Sequence, residues 1–474
     1  MARGLGSASG AGRGALERAW EQIDTDFDDH LAAVRAYLAQ PSVSATGEGI
    51  AEGAAATAAL IEAAGGSAEI VATAGHPAVI GRLDGDGPTL LRYGMYDVQP
   101  VDEPDWGSPP FEAALRDLPG IGCCVVARGA ANSKGCLAAF LLAIKSARTT
   151  GDLPATVVMI VDGEEELGSP HLPAVLDDRR AELAADAAFD LDLTADATGT
   201  ADVFLGCKGI LSLHLTCRGG EWGGPAERPV HSSVGVAISS PAWSLVRALS
   251  ALVGDDEEPR VAGLAPPPPS TEDQELLAAL AEIFDPAVHL HEHGAARYKN
   301  NMSPHDVARA LVYEPAVNLN GLHSGTMFED KTIIPADARA VIDVRFAYGV
   351  DPDAAADSIR DAIAGAAPEV QVEAVEVCPP AKTSARSPVA RAMIGSHFDP
   401  GGRARVWPSA PWWAPYYLFE QTLRLPFAIG GAGRAGRAHS ADEYATVDGL
   451  RDHMRQSIAF LHRFNDEQES VDVG

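Results

Sequence analysis

Three apolar runs, each ending abruptly in acidic or polar residues, constrain this chain more than any other feature. Residues 90–100 read LLRYGMYDVQP, residues 157–169 read VVMIVDGEEELGS, and residues 191–196 read LDLTAD. Unbroken aliphatic runs of about four to eight residues are typical of strands buried on both faces. Between them lie segments of helical length, over 134–148 and from about 170. Strands alternating with such helices build a mainly parallel sheet covered on both sides. Sheets of this kind bind ligands beyond the carboxyl ends of their strands, where these ionisable residues fall.

The rest of the chain divides around a change of character after Gly206. Before it, Leu16, Trp20, Ile23, Phe27, Leu31, Val34 and Leu38 recur at helical spacing over 15–39. A second helix is expected over 50–64, and strands over 77–83, 89–93, 155–161 and 188–194. After it, the strand over 210–217 alternates apolar and polar residues, and a helix is expected over 241–253. Four consecutive prolines follow at 266–269, a polyproline spacer. The strand over 338–346 places Val341, Asp343 and Arg345 on one face against Ile342 and Val344 on the other. A helix over 352–363 and a strand over 369–377 complete an α+β layer. The α/β pattern then resumes, with a strand over 425–429 and a closing helix over 448–464. The predicted architecture is an α/β domain (16–208 and 381–474) interrupted by an α+β lid or dimerisation domain (209–380). Residues 1–15, rich in Gly, Ala, Ser and Arg without an apolar stretch, read as a disordered tail and not as a secretion signal.

Composition removes several functional classes. A net charge of −30 repels phosphate backbones and anionic headgroups, so neither a nucleic-acid partner nor a membrane surface is expected. No window approaches the ~20 apolar residues of a membrane span. Six scattered cysteines with no C-x-x-C pair suit a reducing cytoplasm better than a disulfide scaffold.

Glu164, Glu165 and Glu166 are adjacent carboxylates past a buried strand, and they repel one another unless solvent or a cation screens them. Taken alone they suit a solvated helix N-terminus, where the macrodipole favours acids. Taken in order with their neighbours they say more. YGMYDVQP, RGAANSKG (residues 128–135), DGEEELGS, RPVHSS (228–233), KTIIPADARAVIDVR (331–345) and AGRAHSADE (435–443) resemble six motifs of the carnosinase, aminoacylase and glutamate carboxypeptidase family of zinc peptidases. The carnosine-dipeptidase branch is the closest.

That resemblance implies two divalent ions bridged by an aspartate, and a shared water that a glutamate deprotonates to attack an amide. Residue by residue, it implies Glu165 as general base, Glu166 and His439 as ligands of the first ion, and Asp196 as a ligand of the second. It implies Asp97 as the carboxylate that orients the histidine two residues earlier, and His231 as a lid residue completing the site across a homodimer. Arg345 corresponds to a clamp on the substrate carboxylate. Two positions depart from the pattern. Met95 stands where the first ligand histidine belongs, and Asn132 where the bridging aspartate belongs. A thioether is a poor ligand for a borderline dication, and an amide supplies only a neutral oxygen, so one ion, zinc or manganese, is expected rather than two, with Asn132 a weak ligand. Trp412 and Trp413 stand where the family has a Gly-Gly-Ser-x-Pro loop, either binding substrate or simply packed. Ser133 replaces a further aspartate and is expected to cap the helix that follows. The expected activity is hydrolysis of an amide bond in a dipeptide or N-acyl amino acid. A non-hydrolytic carboxylate-binding protein and an amide-forming or acyl-transferring enzyme are the alternatives.

Overall fold

The computed structural model describes residues 10–151, 153–326 and 331–472. It divides into two compact units. The first comprises residues 1–205, 382–407 and 414–474 in so far as they are described, the second residues 206–381 and 408–413.

The first unit is built on an eight-stranded mixed sheet. At its centre the strands Thr156–Asp162, Thr89–Met95, Ala187–Leu191 and Phe427–Gly430 run parallel in that spatial order. Their carboxyl ends therefore share one edge, and Met95, Asp162, Leu191 and Gly430 mark it. The strand Thr156–Asp162 is buried at every residue, as its unbroken apolar run requires. The helix Lys134–Thr149 packs against Gly10–Leu38 and Val447–Asp472 and is almost wholly buried, including Lys134. That ammonium donates to Gln40 O at 2.5 Å and Ser42 Oγ at 3.2 Å and lies over the Tyr37 ring. Burial lowers its pKa to about 7.

The first helix starts at Gly10, so the expected disordered tail is helical over its last residues; positions 1–9 lie outside the described residues. A separate four-stranded antiparallel sheet holds Ala114–Leu118, Gly122–Val126, Tyr444–Thr446 and Ala435–Gly436. Short alternating strands of this kind gave no clear signal in the sequence.

The second unit is an antiparallel sheet in the order Ala316–Ser324, Asp337–Phe346, Gly209–Arg218 and Val370–Cys378. Leu211, Leu213, Leu215, Ile342 and Val344 face the helices Pro241–Ser250 and Pro352–Ala366 to form its core. Val341, Asp343 and Arg345 are less buried than the residues between them, in line with the predicted two-faced alternation.

No described helix is long and apolar enough to cross a membrane, and all six cysteines are free. His397, which ends the helix Pro388–Ser396, is 2% exposed. Its Nε2 is buried without a hydrogen-bond partner, and burial lowers its pKa to about 4. The unfolded chain takes up this proton near pH 6.5 and the folded chain does not. Stability from this group is therefore complete above about pH 6.5 and falls towards pH 4, by at most about 1.4 kcal/mol per pH unit. Urea denaturation between pH 7 and pH 4.5 should show a shallower acid loss in His397→Leu than in the parent chain; equal slopes refute it.

Candidate active site

Loops leaving the strand ends assemble the site in the first unit. Asp97 follows the strand Thr89–Met95, is fully buried, and holds the next loop by its backbone. Its Oδ1 accepts from Glu165 N at 3.1 Å and its Oδ2 from Glu166 N at 3.0 Å. Asp97 thus shapes the glutamate turn instead of orienting an imidazole, since the position two residues before it is the buried Met95. Burial and the neighbouring Asp162 push its pKa well above the usual carboxylate range.

The three glutamates have different surroundings. Glu164 is structural: Oε1 accepts from His76 N at 2.9 Å, and Oε2 lies 2.7 Å from His171 Nδ1. Glu165 is partly exposed, and its carboxylate accepts no hydrogen bond among the described residues. Burial and the charges of Glu166, Asp97 and Asp162 push its pKa well up. Glu166 accepts from Gln99 Nε2 at 2.7 Å on Oε2, and from Asn132 Nδ2 at 2.9 Å on Oε1. His439 Nε2 lies 3.1 Å from that same Oε1 and 3.0 Å from Asn132 Nδ2. The bond to Glu166 raises the His439 pKa.

The small antiparallel sheet explains how residues three hundred positions apart meet. Gly122–Val126 pairs with Tyr444–Thr446, so the loop carrying Asn132 and the loop carrying His439 arise from adjacent strands. Glu443 fastens them. Its Oε1 accepts from Ala131 N and Asn132 N at 2.8 and 2.9 Å, and its Oε2 from Gly129 N at 3.0 Å and Arg128 Nη1 at 3.1 Å. The sequence reading gave Glu443 no role, although it closes the AGRAHSADE motif.

Asp196 does not join the site. Its Oδ2 pairs with Arg405 Nη1 at 2.7 Å, and its Oδ1 accepts from Thr198 N, Thr198 Oγ1 and Thr200 N at 2.8, 2.6 and 3.2 Å. Burial opposes ionisation of Asp196, but these bonds outweigh it and lower the pKa. Arg405 also clamps Asp202 with Nε and Nη2, at 2.7 and 3.0 Å. The expectation of Asp196 as a metal ligand is thus corrected: a guanidinium already supplies its counter-charge. The carboxylate that does reach the site is Asp192, directly after the strand Ala187–Leu191. Ser133 Oγ lies 3.1 Å from both Asp192 Oδ1 and Asn132 Oδ1. Burial and Asp190 push the Asp192 pKa up to about 7. Ser133 precedes the helix Lys134–Thr149 but makes no side-chain capping bond, so its hydroxyl serves this contact instead.

His231, Arg345, Trp412 and Trp413 belong to the second unit. His231 is exposed and lies 2.9 Å from Ser233 Oγ by Nδ1 and 3.4 Å from Thr332 Oγ1 by Nε2. Arg345 and Trp412 line one cavity, of which Trp413 forms no part.

The chain matches the model of Peptidase family M20/M25/M40 over residues 92–465 and belongs to that family. An M20 family metallo-carboxypeptidase from Sulfolobus solfataricus superimposes with a TM-score of 0.83, at 29% identity, over 92% of this chain and 99% of that one. Human carnosine dipeptidase 1 gives a TM-score of 0.80 at 18% identity, over 95% of this chain and 99% of that one, a likeness of fold. In sequence, the cysteinylglycine-S-conjugate dipeptidase of Corynebacterium striatum is 32% identical over 164 residues, 33% of this chain and 35% of that protein. The chain thus spans about a third or less of the curated relatives it matches. The resemblance read from the six motifs to this peptidase family, and the expected α/β fold, agree with these findings.

The family is one of metal-dependent peptidases, so a divalent metal is the cofactor that membership implies. The side chains present do not fit an ion pair. Glu166 Oε1, the oxygen nearest His439, already receives the Asn132 amide. Ser133 Oγ contacts the Asn132 carbonyl oxygen on the other side, which keeps the amide nitrogen towards Glu166. Asn132 therefore turns a donor to the place where a bridging carboxylate would turn an acceptor, and the expectation of a weak carbonyl ligand is corrected. Among the described residues, no three His, Cys, Asp or Glu side chains gather as a ligand set.

Proposed function

We propose that this chain hydrolyses an amide bond in a dipeptide or N-acyl amino acid, with Glu165 as the group that takes and returns the proton. The observation that carries this reading is the glutamate turn. Asp97 fixes both of its amides, and Glu165, the one glutamate of the three with an unbonded carboxylate, is left available beside Glu166 and His439. A base must lie within reach of its proton in a fixed geometry before its pKa matters. Glu166 and His439 would hold at most one divalent ion, zinc or manganese, and Arg345 would contact the carboxylate of the substrate. Release of a free amino acid from a dipeptide panel, lost in Glu165→Gln, tests the reading.

The assembly proposed is a homodimer through the second unit, in the cytoplasm, where free thiols persist. The strand Ala316–Ser324 is an edge of its sheet and exposes Leu319 and Leu322, and an unpaired apolar edge invites pairing. Trp243 on the helix Pro241–Ser250 is 67% exposed. Light scattering at micromolar concentration should give twice the chain mass; a strict monomer would remove the proposed role of His231 in a partner's site.

A further inference from the structure

The second unit carries a cluster of imidazoles that the proposed hydrolysis does not use. Residues 289–293 read HLHEH. His289 and His293 stand four positions apart at the end of the helix Pro286–Glu292, a spacing that puts two side chains on one helical face. Their rings stack with centroids 4.2 Å apart and planes 27° from parallel. Phe284 and Tyr298 flank the His289 ring, with centroids at 5.4 and 5.8 Å, and hold its orientation by packing. His293 is exposed and His289 partly so. His291, two positions from each, belongs to another face of the helix.

Hydrogen bonds decide where each ring keeps its lone pair. His293 Nδ1 lies 2.8 Å from His289 O. A carbonyl only accepts, so Nδ1 carries the proton and Nε2 the lone pair. Tyr298 Oη donates to Pro286 O at 3.2 Å and lies 3.0 Å from His289 Nδ1. The hydroxyl has one proton to give, so both contacts are hydrogen bonds only when His289 Nδ1 donates to Oη. Both neutral rings then present Nε2 as a ligand atom, each backed by an oxygen on its other nitrogen. That backing is the one that orients metal-bound imidazoles and raises their basicity.

We propose that His289 and His293 chelate a borderline divalent ion through their Nε2 atoms, copper(II) most tightly and nickel(II) or zinc(II) less so. Metal–nitrogen bonds of about 2.0–2.1 Å place two ligands on one ion ~2.9–3.4 Å apart, so rings already 4.2 Å apart need only a small rotation. Imidazole suits these ions, and their order of affinity follows the first-row series. A net charge of −30 draws cations to the protein. Among the described residues no third His, Cys, Asp or Glu joins the pair, so water completes the coordination and the ion remains exchangeable. The pair belongs to the second unit, whereas Glu166 and His439 belong to the first, and the inference does not depend on hydrolysis.

Titration of the full chain with copper(II), followed by electron paramagnetic resonance, tests it in a His439→Gln background that removes the imidazole of the candidate active site. One copper should bind with the signature of two nitrogen ligands. His293→Gln and His289→Gln should each weaken that binding by at least ~10–100-fold, the cost of losing even an outer partner, and leave one nitrogen. Tyr298→Phe removes only the oxygen behind His289, so it should weaken binding by about tenfold with both nitrogens retained. His291→Gln should change neither affinity nor signature. Nickel(II) and zinc(II) should compete with the copper, and magnesium should not. His293 is exposed, so His293→Gln tests the site even if His289→Gln disturbs the packing around Tyr298. Absence of copper binding in the His439→Gln chain overturns the proposal. An unchanged affinity in His293→Gln does so too, as does an equal loss in His291→Gln.

Discussion

Glu165→Gln should lose about 10²–10⁴-fold in turnover while binding its substrate as well as the parent chain does. The substitution keeps the size of the side chain and removes only its capacity to accept a proton. It should not unfold the turn, because Asp97 holds that turn through the backbone amides of Glu165 and Glu166. Stability should even rise. Glu165 sits among the charges of Glu166, Asp97, Asp162 and Asp190, all of which oppose its ionisation, and a neutral amide removes that repulsion. A melting temperature at or above that of the parent, with turnover gone and substrate affinity intact, is the expected set of results. Glu166→Gln should behave differently: its single carbonyl oxygen cannot accept both from Gln99 on one side and from Asn132 beside His439 on the other, so the two loops should loosen. Full activity in Glu165→Gln would end the hydrolase reading.

The parts of this site that were legible in the sequence are those set by an apolar run and what directly follows it. Glu165 and Glu166 come straight after a strand buried at every residue, and Asp97 straight after another. The Asp196 assignment failed for a related reason. The strand was expected to continue to Thr194, which would put Asp196 just past its end. It stops at Leu191, and Thr194 bonds instead to Asp202 O and Gly431 O. Asp192 therefore takes the strand-end position, and Asp196 moves on to Arg405.

Contacts between distant segments were not legible. Nothing local distinguishes Glu443 from a surface acid, because its function is to accept main-chain donors from residues 129–132. Likewise, residues 408–413 group with the second unit, although by sequence they lie inside the returning α/β segment.

The two substitutions that separate this chain from the family pattern make the last expectation the most demanding. Asn132→Asp replaces a donor aimed at Glu166 with an acceptor, and by itself it sets a new carboxylate against that of Glu166, beside His439. Without a cation such a pair is repulsive, so the single variant should be less stable than the parent in chelator and should regain stability when zinc or manganese is added, by mass action on the folded state. Met95→His adds an imidazole at the end of the central strand, a better ligand for a borderline dication than a thioether. The double variant should then bind close to two ions per chain by elemental analysis after desalting, where the parent should bind at most one, and the single variant should fall between them. Its hydrolysis of dipeptides should rise with metal content. Ligand count alone then explains the departure of this chain from its family. If the double variant folds yet gains neither metal nor rate, the defect extends to the surroundings. Asp192, whose pKa burial and Asp190 push up to about 7, would then be the next feature to change, since its proton withholds a carboxylate that a second ion requires.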